Sequence, residues 1–202
     1  MAPLAGLTSQ PNLNAIVEAT RNTELDTGLD PEPLRQLTHY WGAVREHYSP
    51  FECGMKAPDA DLYLHEMPGG QFTNLLEQAR ALGLIDRWED VCRTYADVNQ
   101  LLGDIVKVTP TSKAVGDLAL LLVTNEMQAS ELLESNREIA FPESVVDLLS
   151  GRMGQSPGGF PPEVVARVVR NQSIIDGRPG ATLPPANMAV SYTHLRAHET
   201  PC

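Results

Sequence analysis

The sequence lacks the short motifs that identify a complete metal or phosphate site. Its three cysteines, Cys53, Cys92 and Cys202, are scattered and form no CxxC pair, so they indicate neither a disulfide framework nor a zinc site. No HxH or HExxH motif occurs before the last segment of the chain. The glycine pair at 69–70 lacks the spacing of a phosphate-binding loop. We therefore expect a reducing compartment and no intact metal site in this chain.

Positive charge and long apolar runs are also scarce. The chain has fifteen basic and twenty-six acidic side chains, which give a net charge of -11. This charge repels phosphate backbones and anionic lipid surfaces. The longest strongly apolar run, residues 118–123, is far shorter than the roughly 20 residues that span a bilayer. Residues 1–7 lack the basic segment of a signal peptide. A soluble, globular protein without nucleic-acid or membrane partners is expected.

The first part of the chain predicts two β/α units. Residues 4–7 are typical of the end of a buried strand, and a loop at 8–11 precedes a helical pattern that begins at Leu13. A second extended piece at 25–29 leads into a helix from Pro31 to about Tyr48. Two such units in succession favour a parallel sheet or barrel.

From residue 72 onward apolar residues recur only at helical spacing. Helices are predicted at about 72–82, 88–102 and 114–123 and, beginning with a proline, from Pro142 and Pro162. The segment 114–123 is almost wholly apolar, so its helix should be central. Segments rich in glycine and proline at 156–162 and 177–185 break and then end the organised region. This part of the chain is predicted to be a helical bundle.

The end of the chain fits neither this composition nor a capped helix. From about residue 190, the sequence VSYTHLRAHET resembles a translated sequencing adapter. We therefore treat residues 186–202 as a non-native tail and set His194 and His198 aside.

The motif KVTPTSK, residues 107–113, is the first candidate for chemistry. Thr109 precedes a proline at the start of an apolar helix, a pattern typical of an ordinary helix cap whose hydroxyl accepts a backbone amide. Thr111, Ser112 and Lys113 lie at the same helix start. Free amides and the helix dipole at such a position favour an anionic or strongly polar ligand. The pattern alone leaves the cap and the ligand site open.

The motif HEMPGGQFTNL, residues 65–75, is the second candidate. It combines a turn at 68–70 with Gln71 and with Thr73 or Asn74 as a helix cap, which favours a structural role. His39 and His47 lie eight residues apart on one predicted helix, where histidines more often pack or face solvent than bind metal.

Seven motifs in order resemble the pyruvate carboxylases over about residues 4–185. They are TSQP at 8–11, LDTGLD at 25–30, the pair at 40–41, HEMPGGQFTNL at 65–75, NQLLGDIVKVTPTSK at 99–113, VGDLA at 115–119 and FPESVV at 141–146. The resemblance implies an ATP-dependent, biotin-dependent ligase. Its carboxyltransferase moves the carboxyl group from carboxybiotin to pyruvate, giving oxaloacetate for anaplerosis and gluconeogenesis.

The resemblance also implies a truncated, mainly α domain. Residues 1–48 would be the last β/α units of a TIM barrel, and residues 49–185 the helical funnel that follows it. The family's divalent-metal ligands, its pyruvate-binding arginine and its ATP-using domain lie upstream, and its biotin carrier domain lies downstream. No metal ligand is assigned to this chain. The isolated fragment should be inactive, whereas the parent should be a homo-oligomer in the bacterial cytoplasm or the mitochondrial matrix.

Three residues match the family's site. Thr109 matches the threonine that relays a proton between biotin and pyruvate. A hydroxyl suits this relay because it donates and accepts at once and stays neutral. Ser112 matches the serine that hydrogen-bonds the biotin ureido group, and Lys113 matches the adjacent lysine. The biotin carrier domain of the same polypeptide would be the partner at this site.

Two alternatives stay open. The related oxaloacetate decarboxylase α-subunit of sodium pumps and the transcarboxylase subunit share the barrel, the funnel and the threonine. In these relatives we expect glutamine at position 113 and a less similar residue at position 71. The second alternative is an inactive helical fragment that acts only as an interaction module.

Overall fold

The computed structural model describes residues 5–8, 11–58, 60–135 and 137–185. Over these ranges the chain is mainly helical and contains no β-strand. The α-helices are α1 (Leu13–Thr20), α2 (Pro31–Tyr48), α3 (Leu62–His65), α4 (Gly69–Ala81), α5 (Trp88–Leu101), α6 (Thr111–Thr124), α7 (Glu131–Glu134), α8 (Glu143–Leu149) and α9 (Pro162–Val169). Short 3-10 helices lie at Ser49–Phe51, Ile85–Arg87 and Pro179–Ala181. The helical part of the fold prediction is confirmed.

The two extended segments predicted before α1 and α2 are not strands in the described residues. Residues 6–8 form bends, and residues 26–30 are irregular, while Leu4 lies outside the described ranges. Asp26 instead closes a local turn, because its carboxylate accepts the amides of Asn22 at 2.7 Å and Gly28 at 2.9 Å. A strand needs a neighbouring strand to satisfy its backbone groups, and the described chain supplies none. The barrel part of the prediction is not confirmed.

Local signals set the ends of α1 and α2. Asn12 caps α1 by accepting the Ala15 amide at 3.2 Å, and Asp30 caps α2 by accepting the Glu32 amide at 2.9 Å. The observed α2 has the predicted bounds. The two helices contact each other, yet no residue of α2 is buried. Local capping therefore orders α2 without burying any of its residues, whereas α1 buries Val17 alone.

The hydrophobic core lies among α4, α5, α6, α8 and α9. Helix α6 is its centre, as predicted, and packs against α5, α8 and α4. Its fully or nearly fully buried residues are Ser112, Ala114, Val115, Gly116, Leu118, Ala119, Leu120, Leu122 and Val123. Burial of each large aliphatic side chain contributes roughly 1.5–3 kcal/mol, so α6 carries a large share of the stability.

The predicted starts of the bundle helices hold to within a few residues. Helix α9 begins at Pro162 as predicted, and α8 begins one residue after Pro142. Helix α4 begins at Gly69, so Thr73 and Asn74 lie inside it and the cap predicted for them is wrong. The Thr73 hydroxyl instead donates to the Gly70 carbonyl at 3.1 Å. None of the helices in the described ranges combines the length and apolar character needed to cross a bilayer.

One arginine ties the end of the bundle together. The guanidinium of Arg167 in α9 donates to the carbonyls of Leu132 at 3.0 Å, Ser135 at 2.8 Å and Arg137 at 2.7 Å. These carbonyls belong to α7 and the residues after it, which have no helical amides to pair with. The side chain thereby holds the segment after α7 against α9.

Candidate functional site

The approach to the candidate site is a tight turn at the end of α5. The buried Asn99 donates its side-chain amide to the Asp104 carboxylate at 2.8 Å, and the Asp104 amide donates to the Asn99 carbonyl at 2.8 Å. Gly103 has a φ of 94°, a left-handed conformation that glycine adopts without a steric penalty. This double link reverses the chain and directs residues 105–110 towards the start of α6.

Thr109 is exposed in the turn immediately before α6, and its peptide bond to Pro110 is cis. It is not a helix cap. Helix α6 begins at Thr111 without a side-chain cap, and Pro110 occupies the cap position. The first amides of the helix are satisfied by backbone carbonyls: Ser112 donates to Val108 at 3.2 Å, and Lys113 donates to Pro110 at 3.2 Å. The Thr109 hydroxyl makes no capping bond to α6, so the cap interpretation is wrong.

Ser112 and Lys113 lie in the first turn of α6 but face different surroundings. Ser112 is only 2% exposed and belongs to the inner face of the helix. Lys113 is exposed and forms an ion pair with Asp117 one turn later. Asp117 also accepts a hydrogen bond from Ser144 of α8. The structure therefore brings the three predicted residues into one loop and one helical turn, with Thr109 and Lys113 at the surface.

Helix α4 forms the adjacent wall. A Cβ atom added at Gly116 would lie 2.5 Å from the amide nitrogen of Gln71 and 2.9 Å from a methyl carbon of Leu75. A larger residue at this position would have to displace the side chains of Gln71 and Leu75, so glycine lets α4 pack closely on α6. Gln71 is 8% exposed, so its amide lies inside the bundle against Gly116, one helical turn beyond Ser112. A neutral side chain that both donates and accepts is thereby built into this wall.

An ion pair joins the two candidate motifs. The Lys107 ammonium donates to the Glu66 carboxylate at 2.8 Å, and the Lys107 side chain is 13% exposed. This hydrogen bond and the positive charge of Lys107 hold the pKa of the Glu66 carboxyl below its ordinary value. The segments at 65–75 and 107–113, far apart in sequence, therefore meet at one end of the bundle.

His65 of the same motif has a structural role in these surroundings. It is buried, and its Nδ1 atom accepts the Met67 amide at 2.9 Å. Its ring lies 5.6 Å from that of Phe72, which in turn makes an edge-on contact with Trp88 at 5.1 Å. These ring contacts attach the start of α4 to α5.

Metal-binding and thiol groups are dispersed in the described ranges. No group of three or more histidine, cysteine or acidic side chains could hold a metal ion there. His39 and His47 both lie on α2, away from the candidate motifs in sequence. Cys53 and Cys92 are not joined in a disulfide, and Cys202 lies outside the described residues.

Sequence reasoning missed two structural features of this end of the bundle. The first is the side chain of Thr111, which bonds the backbone of the loop before it. The second is the contact of Gln71 with Gly116. The one sequence signal for this contact is Gly116 itself, because a glycine within an otherwise apolar helix indicates a close approach of another element.

The chain matches one family and many of its members. The family model described as "Conserved carboxylase domain" matches residues 62–200. Pyruvate carboxylase of Aspergillus niger is 46% identical over 193 residues, which are 96% of this chain and 16% of that protein. That of Bacillus subtilis is 43% identical over 187 residues, which are 93% of this chain and 16% of that protein.

Solved structures give the same result. The carboxyl transferase domain of Rhizobium etli pyruvate carboxylase matches with a TM-score of 0.88 and 47% identity, over 98% of this chain and 33% of that one. The same domain solved with pyruvate and biocytin matches equally, with a TM-score of 0.88. The chain thus spans 16% of the length of the curated relatives that it matches.

Proposed function

The chain belongs to the pyruvate carboxylase family, and on that premise we propose that it is a fragment of a biotin-dependent pyruvate carboxylase. It forms one wall of the site at which the carboxyl group passes from biotin to pyruvate, giving oxaloacetate. The observation that carries this proposal is the exposed Thr109 at the point where the two candidate motifs meet. In support, the related Rhizobium etli domain has been solved with pyruvate and biocytin.

The charges at this end of the bundle suit an anionic substrate. The carboxylates of Glu66 and Asp117 are bound to Lys107 and Lys113, so each negative charge has a positive partner. Thr109 adds a neutral hydroxyl, whereas a carboxylate at this position would repel pyruvate. Pyruvate can therefore approach Thr109 without facing an unpaired negative charge from these two residues.

The chemical role of Thr109 is to relay a proton. Biotin, when bound, supplies the carboxyl group and the base that the reaction needs. The Thr109 hydroxyl accepts the proton released from the pyruvate methyl group and donates its own proton to the base that biotin would supply, so the hydroxyl is neutral before and after the exchange. Its exposure, and its freedom from a capping role in α6, leave the hydroxyl available for this exchange.

Ser112, Lys113 and Gln71 fit a neutral ureido group in chemical type. The hydroxyl of Ser112 and the amide of Gln71 both donate and accept hydrogen bonds, as a ureido group does. Because Ser112 is 2% exposed, it would meet a ligand only from the inner side of the first turn of α6. Lys113 is exposed, and its ammonium group is paired with the Asp117 carboxylate one turn later. The described residues offer no comparable set for a divalent metal ion.

The proposal also assigns the segments of this chain and the parts of the parent protein on either side of it. Residues 1–48 are the last β/α units of a TIM barrel, residues 49–185 the funnel and residues 186–202 a non-native tail. The exposed apolar side chains of α2 support the first assignment, since a barrel would cover them. The metal ligands and the ATP-using domain lie upstream and the biotin carrier domain downstream, in a homo-oligomer of the cytoplasm or the mitochondrial matrix.

The test is a Thr109→Ala substitution in the full-length parent enzyme. We expect ATP cleavage by the biotin carboxylase domain to continue while oxaloacetate formation falls by at least about 100-fold, the usual size of a lost proton-transfer group. Thr109→Ser keeps a hydroxyl and should keep much of the activity. Oxaloacetate formation near the normal rate in Thr109→Ala would remove the assignment.

The related decarboxylase and transcarboxylase subunits are the second candidate. Gln71 and Lys113 favour pyruvate carboxylase over both, because each was expected to differ in those subunits. The reading frame upstream decides between them. A biotin carboxylase domain fused in the same polypeptide would assign the chain to pyruvate carboxylase, whereas its absence would favour a subunit enzyme.

A further inference from the structure

The loop that carries Thr109 has no hydrophobic anchor of its own. Ile105 is buried before it and Ser112 is buried after it, but no residue between them is buried. The side chains of Val106 and Val108 are 65% and 60% exposed. Apart from the stem of Lys107, whose side chain is 13% exposed, apolar burial contributes little to fixing Thr109, so polar contacts hold the loop.

Thr111 supplies three of these contacts. The others include the ion pair of Lys107 with Glu66 and two backbone bonds of 3.2 Å, from the Val108 amide to the Val106 carbonyl and from the Ser112 amide to the Val108 carbonyl. The Thr111 hydroxyl oxygen accepts the Val108 amide at 3.1 Å and lies 2.6 Å from the Val106 carbonyl and 2.5 Å from the Val108 carbonyl. A hydroxyl has one hydrogen, so it donates to one of these carbonyls at a time while accepting the amide. One side chain in the first turn of α6 thus bonds the backbone on the N-terminal side of Thr109.

We propose that Thr111 is a positioning residue, whose hydroxyl holds the backbone of Val106 and Val108 and thereby fixes Thr109 for proton transfer. The inference rests on the proposed function, because it gives Thr111 a task only if Thr109 is the relay. Thr111 itself touches no reacting group. Its effect follows from geometry, since displacement of a reacting group by about 1 Å can lower a rate by about 100-fold.

The first experiment measures the loop without catalysis. Amide hydrogen exchange is followed by NMR in the 202-residue chain and in its Thr111→Val, Thr111→Ser and Thr94→Val variants. Valine keeps the shape of threonine but removes the hydroxyl, and Thr94 is a similarly half-buried threonine in α5. We expect exchange at the Val108 amide to rise about tenfold in Thr111→Val and to stay unchanged in the other two.

The second experiment measures turnover in the full-length parent enzyme. We expect Thr111→Val to lower kcat for pyruvate carboxylation at least about tenfold with KM for pyruvate changed less than about twofold, and Thr111→Ser to restore kcat. A general loss of structure would not be rescued by serine in this way. If Thr111→Val fails to fold, Thr111→Ala replaces it, since alanine adds no methyl group to the position.

The outcomes separate this inference from the proposed function. Unchanged exchange at Val108, or a kcat within about twofold of normal in Thr111→Val, overturns the positioning role. If that active variant stands beside an inactive Thr109→Ala enzyme, only the positioning role is lost. An active Thr109→Ala enzyme removes the relay itself, and with it the task assigned to Thr111.

Discussion

The region of α1 and α2 and the bundle from α3 to α9 use helices in different ways. Helix α2 has eighteen residues and buries none of them, whereas α6 has fourteen residues and buries nine. Caps and surface ion pairs order α2, among them the contact of Arg35 with Glu32 at 2.9 Å. Such pairs contribute at most about 1 kcal/mol each. Capping and a regular apolar pattern therefore predict that a helix forms, but they do not predict that the described chain covers its apolar side chains.

The sharpest test of this difference compares one leucine from each region. Leu118 of α6 is fully buried, whereas Leu37 of α2 is 44% exposed. We expect Leu118→Ala to lower the free energy of unfolding by about 2–5 kcal/mol, because it opens a cavity in the core. Leu37→Ala should cost less than about 1 kcal/mol. Urea unfolding of the 202-residue chain measures both, and equal losses would mean that α2 is packed after all.

A pair of glycines tests the same contrast with opposite signs. Alanine at Gly116 would press on Gln71 and Leu75, so Gly116→Ala should lower the free energy of unfolding by about 1–3 kcal/mol. No atom lies within 4 Å of a Cβ added at Gly42 in α2. Gly42→Ala should therefore raise the free energy of unfolding by about 0.5–1 kcal/mol through helix propensity. Stabilisation by both alanines would show that α4 and α6 can separate without cost.

The smallest expected effect concerns pH. Lys107 lowers the folded-state pKa of Glu66 below its ordinary value of 4.5, so the ion pair stabilises the fold above that value. The contribution is lost as the pH falls through the lower, folded-state pKa. We expect the protection of the amides of residues 106–108, measured against the intrinsic exchange rate at each pH, to fall over this range, and Glu66→Gln to remove this pH dependence of the protection. Glu32→Gln in α2 serves as the control, and an equal effect from it would contradict a local role for Glu66.

The sequence predicted the elements whose cause is local. Pro31 and the apolar spacing that follows it predicted the bounds of α2, and the apolar run at 114–123 predicted the central position of α6. The motifs gave the family, and the structure places the two main motifs side by side through Lys107 and Glu66. Periodicity, capping and motif order are properties of short segments, so they can be read without knowing the fold.

Features that depend on distant residues could not be predicted in this way. The pattern left a helix cap at Thr109 open, but α6 begins at Thr111 after Pro110 and has no side-chain cap, and the Val108 carbonyl accepts the Ser112 amide. The extended segment at 25–29 was expected to be part of a β/α unit, but a strand forms only beside another strand. The roles of Ser112 and Lys113 remain predictions from the resemblance. Their positions in one turn of α6 agree with a shared site but do not assign their tasks.

The ion pair between Lys107 and Glu66 also affects the order in which the chain folds. The two residues are 41 positions apart in sequence, and α4 and α5 lie between them. A contact of this span forms only after the intervening helices have been brought together, because loop closure costs entropy that local contacts do not recover. The loop that carries Thr109 should therefore be among the last parts of the bundle to become ordered during refolding.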